Sequence, residues 1–132
     1  MLPAQARLRR RPDFTAVVRS GRRAGRPTLV LHYLSERPVA PVGRPADVRT
    51  GPRAGFVVGK TVGNSVCRHR VTRQLRHLVA AELDRLPDTA DLVVRARPEA
   101  AGAGSVVLAR DLDAGLDRLL GSRPAVPRAA RP

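Results

Sequence analysis

The sequence predicts an α+β fold, a small two-layer sandwich with helices packed on a mixed sheet of about four strands. Three observations carry that prediction. Short runs rich in Val and Leu recur at 28–34, 53–58 and 91–97, bounded by Gly, Pro or charged residues as strands are. Two longer stretches, 64–86 and 105–120, repeat their apolar residues every three to four positions, as half-buried helices do. The 132 residues, 42% of them apolar, suffice for one ordinary domain and not for two. That domain is placed at 1–120, with a long loop at 35–52 and a disordered basic tail at 121–132.

Arg7-Leu8-Arg9-Arg10-Arg11 leads into a short helix, with Pro12 suited to its first position and Phe14, Val17 and Val18 spaced i, i+3, i+4. Gly21 ends it. In the strand that follows, alternation puts Leu29, Leu31 and Tyr33 on one face and Val30, His32 and Leu34 on the other. Residues 35–52 hold four prolines and two glycines in eighteen positions, a composition no regular element tolerates. Arg53 to Val58 is a second strand, and Gly59 to Gly63 could add a bent or edge strand after it. From Asn64 or Ser65 as N-cap a helix should run to Leu86, where Pro87 stops it. At about 100° per residue, Cys67, Val71, Leu75, Leu78, Val79, Leu83 and Leu86 make one stripe, with His69, Arg70, Arg73, Arg76 and His77 roughly opposite. Arg68 and Glu82 project onto the apolar stripe, so each must overhang the core or find a partner; for Arg68, overhang leads into a cleft. Asp91 to Arg97 is a third strand, and Ser105 to Leu120 a last helix with Leu108, Leu112, Leu116 and Leu119 in phase. The tail from Gly121 is Pro, Ala and Arg, a composition that does not fold by itself.

Twenty-five basic residues against eleven acidic ones leave 25 − 11 = +14, beyond what solubility requires. The partner should be a polyanion, nucleic acid or an anionic membrane surface. No apolar run approaches the ~18 residues of a membrane span, and Met1-Leu2-Pro3 opens on no apolar signal segment, so a cytoplasmic protein without a membrane partner is expected. All basic residues but Lys60 are arginine, a bias that the Ala, Gly, Pro and Val content ties to GC-rich codon usage, so arginine abundance alone says little. What matters is placement. From Asn64 through Ala81 there is no acidic residue, and Arg68, Arg70, Arg73 and Arg76 are unneutralised within their own helix, a cost an anion would offset.

Competing motifs fail on spacing. Gly59-Lys60-Thr61 before a helix suggests a phosphate-binding loop, but the glycine required five positions earlier is Ala54, and Phe56, Val57 and Val58 form an apolar strand, not a cradle. One cysteine, Cys67, excludes an internal disulfide, and three scattered histidines supply no zinc site; Cys67 reads as a small hydrophobe at the stripe's edge. His69, His77, Glu82, Asp84, Asp88 and Asp91 show no acid–base or two-metal constellation, so no catalytic residue and no metal site is expected on the chain. Phe14, Tyr33 and Phe56 are too few aromatics for an RNA-recognition sheet, and a basic helix directly after a strand is not a helix-turn-helix. Recognition of nucleic-acid backbone and shape fits best.

The stretch from Gly55 to Leu78, a Lys-x-x-Gly turn leading into a helix that bears Arg68-His69-Arg70, resembles the signature of the protein subunit of bacterial ribonuclease P. The resemblance covers Leu8 to Leu120. Leu8-Arg9-Arg10-Arg11-Pro12-Asp13-Phe14 is similar to the family's Leu-Arg-x-x-x-Asp-Phe start, Gly21 to its helix stop, and Asp91-Leu92-Val93-Val94-Arg95-Ala96-Arg97-Pro98 to its last strand. It implies an α+β sandwich with a left-handed βαβ crossover, bound to one large catalytic RNA. It also implies the removal of the 5′ leader from precursor tRNA by an RNA that holds most of the Mg²⁺, with no small-molecule substrate. Carried over by position, Lys60, Gly63, Asn64, Arg68, His69, Arg70, Arg73 and Arg76 contact the catalytic RNA, and Phe14, Val18 and His32 line a leader-binding cleft between the first helix and the sheet. This chain departs from the pattern at His69, where asparagine is usual, at Thr61 and Thr72, where lysine is common, and at Val18 and His32, where aromatics occur. An imidazole at position 69 still donates and accepts, while base stacking in the cleft should be weaker. Two other readings compete: a purely structural RNA-binding protein, such as a ribosomal component, and an autonomous nuclease.

Overall fold

The computed structural model describes residues 2, 6–36 and 51–121. Along the chain run α1 (Arg11–Ser20), β1 (Arg22–Gly25), β2 (Leu29–Leu34), β3 (Arg53–Val57), α2 (Ser65–Ala80), β4 (Asp91–Ala96) and α3 (Gly104–Leu120), with short 3₁₀ turns at Leu83–Arg85 and Pro98–Gly102. The four strands form one mixed sheet in the order β1-β2-β4-β3. β2 is antiparallel to both β1 and β4, whereas β3 lies parallel to β4, so the chain must cross over between them, and α2 makes that crossing.

Alternation along the strands sorts the core. Leu29, Leu31 and Tyr33 face α2 and α3 together with Leu92, Val94, Ala54 and Ala24, and meet Val71, Leu75 and Val79 of α2 and Leu108, Leu112, Leu116 and Leu119 of α3. All of these are buried, as the stripe spacing requires. Each fully buried Leu or Val contributes roughly 1.5–3 kcal/mol of hydrophobic stabilisation, so truncating Leu112 to Ala should cost about 2–5 kcal/mol. On the opposite face α1 covers part of the sheet, where Leu8, Val17 and Val93 form a second, smaller cluster with Phe14 and Leu34 against it. Phe14 presses its ring onto the backbone of Gly55, where any β-carbon would collide with it.

Three expectations are corrected. α2 ends at Ala80, not Leu86: Glu82 to Leu86 tightens into a 3₁₀ turn, and Leu86 is buried from that turn. Glu82 therefore leaves the stripe and pairs with Arg85 at 3.2 Å. Gly59 to Gly63 is a turn, closed by the Val62 amide donating to the Gly59 carbonyl at 3.0 Å, and not a strand. The fourth strand is instead Arg22–Gly25, which has no apolar alternation to reveal it and is held by its ladder to β2. Most of the expected 35–52 loop and of the 121–132 tail lies outside the described residues.

Candidate nucleic-acid interface

The turn before α2 sets where its arginines stand. Gly63 has φ +156°, and a β-carbon there would meet Cβ and Sγ of Cys67 at 3.0 Å, so this turn favours glycine. Asn64 then caps the helix, its side chain accepting from the Cys67 amide at 2.9 Å. That commits one lone pair of Asn64 Oδ1 and leaves its amide nitrogen unengaged by the cap. The first turn contains no acidic residue. Unsatisfied amides and the partial positive charge of the helix start thus add to the field of Arg68 and Arg70.

The predicted site residues divide by exposure. Lys60, Asn64, His69, Arg70 and Arg73 are exposed, while Arg68 and Arg76 are half-buried. Arg68 leans toward the core as its stripe position required, and its Nε is buried without a hydrogen-bond partner among the described residues. Arg70 lies back across the surface, donating to the Ala101 carbonyl at 3.1 Å, which ties α2 to the 3₁₀ turn before α3. Cys67 is half-buried and packs on the core edge. Thr72 spends its hydroxyl on the Arg68 carbonyl one turn back, at 2.8 Å.

The α1 side of the sheet gathers the second predicted group. Phe14 is half-buried against Leu8 and Gly55, Val18 stands 49% exposed at the rim, and His32 is 8% exposed in the floor. Burial pushes the His32 imidazole below its ordinary range, and the charges of Arg95 and Arg23 push it further the same way. Those two arginines are residues that pattern reading missed. Arg23 sits directly across the ladder from His32, and Arg95 across from Val30, on the same sheet face. A signal was available in Arg95, the only charge after Asp91 within an otherwise apolar strand.

Carboxylates lie elsewhere. Arg53 holds the buried Asp91 through Nε at 2.9 Å and Nη2 at 2.7 Å, and its Nη1 lies 3.6 Å from Asp13 of α1. Arg85 is surrounded by Glu82, Asp113 and Asp117 at 3.2, 3.0 and 2.6 Å. Asp111, buried in α3, accepts from the Thr28 amide at 3.0 Å and from its hydroxyl. These acids tie α1, α3 and the turn after α2 to the rest of the fold, and none of them lies within α2; the exposed Glu99 stands on the 3₁₀ turn whose Ala101 carbonyl accepts from Arg70. No helix among the described residues is long and apolar enough to cross a membrane.

Comparison with known proteins agrees with this geometry. The family model described as Ribonuclease P matches residues 2–120. The ribonuclease P protein component of Streptomyces bikiniensis is 53% identical over 121 residues, covering 92% of this chain and 97% of that protein. That of Corynebacterium diphtheriae is 50% identical over 119 residues, covering 90% and 97%. Among solved structures, the Staphylococcus aureus RNase P protein is similar with a TM-score of 0.70 at 20% identity, covering 86% of this chain and 94% of the other. The Thermotoga maritima RNase P protein gives 0.65 at 20% identity, covering 89% and 98%. At such identity these two bear on the fold alone, whereas the family match and the close relatives bear on descent: this chain belongs to the ribonuclease P protein family.

Proposed function

We propose that this chain is the protein component of a ribonuclease P, binding the catalytic RNA through the turn and basic face of α2 and the 5′ leader of precursor tRNA through the α1 side of the sheet. The observation that carries this reading is a helix that has no acid from Asn64 through Ala81 and leaves Arg73 exposed. The family membership of the chain supports RNA as the partner of that face. Guanidinium groups fixed on a helix engage phosphates at defined positions, which suits docking to a folded RNA better than reading its bases.

Hydrolysis is assigned to the RNA: water adds to the phosphodiester, the leader departs with a 3′ hydroxyl, and the mature tRNA keeps the 5′ phosphate. Mg²⁺ is assigned to the RNA as well. None of the roles proposed for this chain passes through a metal. The protein lowers the Mg²⁺ requirement by supplying cations of its own along the junction of catalytic RNA and leader.

The test incubates purified protein with precursor tRNA, with and without the catalytic RNA, at low Mg²⁺. Rescue of RNA-dependent cleavage is expected. Cleavage by the protein alone would make it an autonomous nuclease, and RNA binding without rescue would leave a structural RNA-binding protein.

A further inference from the structure

Beyond α1, the sheet face that carries His32 continues into a strip lined by arginines. Strand alternation places Arg23 and Gly25 of β1, Val30 and His32 of β2, and Arg95 of β4 on this one side, with Arg97 following Arg95 two residues on. Arg23 and Arg95 are exposed, and among the described residues neither makes an ion pair or a side-chain hydrogen bond. Arg97 is half-buried, its Nη2 lying 3.6 Å from where a β-carbon on Gly25 would stand, and its Nε is buried without a partner. The floor is closed. His32 is buried, and so is Val30, which belongs to neither apolar cluster. Arg23 pairs with His32 and Arg95 with Val30, so the two stand two strand spacings apart across the sheet and two residues apart along it, roughly 12 Å, and guanidinium groups so spaced suit separate phosphates of one strand more than a single ion.

We propose that Arg23, Arg95 and Arg97 form a cationic track that holds a single-stranded RNA by its phosphates, so that this chain grips the precursor's leader by backbone charge and not by stacked bases. The proposal rests on the leader-binding reading above and names the residues and chemistry that perform it. Two observations favour it over stacking. The only aromatic near the strip, Phe14, has its ring against Gly55, and the rim position 18 carries valine. A stacking platform needs exposed π-faces, whereas a charged groove needs only cations at intervals along the strand. Such a track is indifferent to leader sequence and sensitive to salt.

The experiment compares binding of precursor and mature tRNA to the assembled complex across a salt series, for the wild-type protein and for the Arg23→Gln/Arg95→Gln double variant. For the wild type, precursor preference should fall with rising salt and barely change when leader bases are altered. In the double variant the preference should drop about tenfold at low salt, and its log–log salt slope should shrink by about 1.4, at roughly 0.7 per phosphate on a single strand. An Arg23→Lys/Arg95→Lys variant should keep most of the slope, which a merely structural loss would not do. Unchanged preference and slope in the Gln variant, with wild-type discrimination intact, would overturn the track alone. Equal weakening of precursor and mature tRNA, or loss of complex assembly, would assign these arginines to the catalytic RNA and also overturn it. A wild-type complex that never cleaves precursor tRNA would sink the functional reading beneath, and the track with it.

Discussion

Arg53 and Arg73 carry the same group to opposite ends. Arg53 is sequestered between Asp91 and Asp13, both nitrogens of its fork engaged with a buried carboxylate. Arg73 stands exposed on a helix that has no acid of its own. Arg85, ringed by three carboxylates, repeats the first pattern, and Arg23 and Arg95 repeat the second. Arg53 and Arg85, which hold carboxylates, join elements of the fold, whereas Arg73, Arg23 and Arg95 face outward from α2 and the open sheet. Arginine content therefore says little here, while the positions of the acids say which arginines are engaged with a carboxylate.

The most severe test of this division is Arg53→Ala. It would leave Asp91, 1% exposed, without its main partner, and breaking one side of a buried pair costs about 3–5 kcal/mol. Urea denaturation should show that loss, whereas RNA affinity measured where the variant remains folded should change little. A variant as stable as the wild type would make the pair ornamental. Arg73→Glu should do the reverse, weakening affinity for the catalytic RNA by about 1–3 kcal/mol while the thermal midpoint holds within about 2 °C. Its salt slope should fall by roughly 0.9 for each duplex phosphate that is no longer neutralised. Arg70→Glu is the mixed case, since Arg70 also donates to the Ala101 carbonyl, and it should lose some stability together with affinity.

Phe14 probes the same division on the apolar side. Its ring lies on Gly55 and Leu8 within the small cluster under α1, so Phe14→Leu should lower stability by roughly 1 kcal/mol through imperfect refilling of that volume. Precursor preference lost without any change in melting would place Phe14 in the leader site. The smallest effect belongs to His32. Its imidazole is held below the ordinary range, by burial first and by Arg95 and Arg23 second. As pH falls below about 6.5, the unfolded chain takes up a proton that the native state refuses, so stability is complete above that value and declines beneath it. Thermal melts between about pH 7 and pH 5 should show this decline, and His32→Gln should flatten it. An unchanged slope in that variant would place the titrating group elsewhere.

Much of this is legible in the sequence itself. Period-two runs placed β2, β3 and β4 and even the faces of β2, because an alternating strand can bury only one register. The phase of Val71, Leu75 and Val79 set α2 with its basic side outward, and the Asn64 cap and the Gly63 turn follow from local chemistry that needs no tertiary partner. Tertiary structure alone decided the rest. β1 is a strand because β2 offers it a ladder, not because Arg22-Arg23-Ala24-Gly25 prefers one. The helix stops at Ala80 although the apolar phase continues, since Leu83 and Leu86 reach the core from a tighter turn. Which arginines are neutralised depends on acids distant in sequence: Asp91 is 38 positions from Arg53, and Asp117 is 32 from Arg85. Local pattern reports periodicity and capping because those are interactions within a turn or two. Charge pairing and sheet edges are long-range, so the juxtaposition of Arg23, Arg95 and Arg97 exists only because β1, β2 and β4 lie side by side.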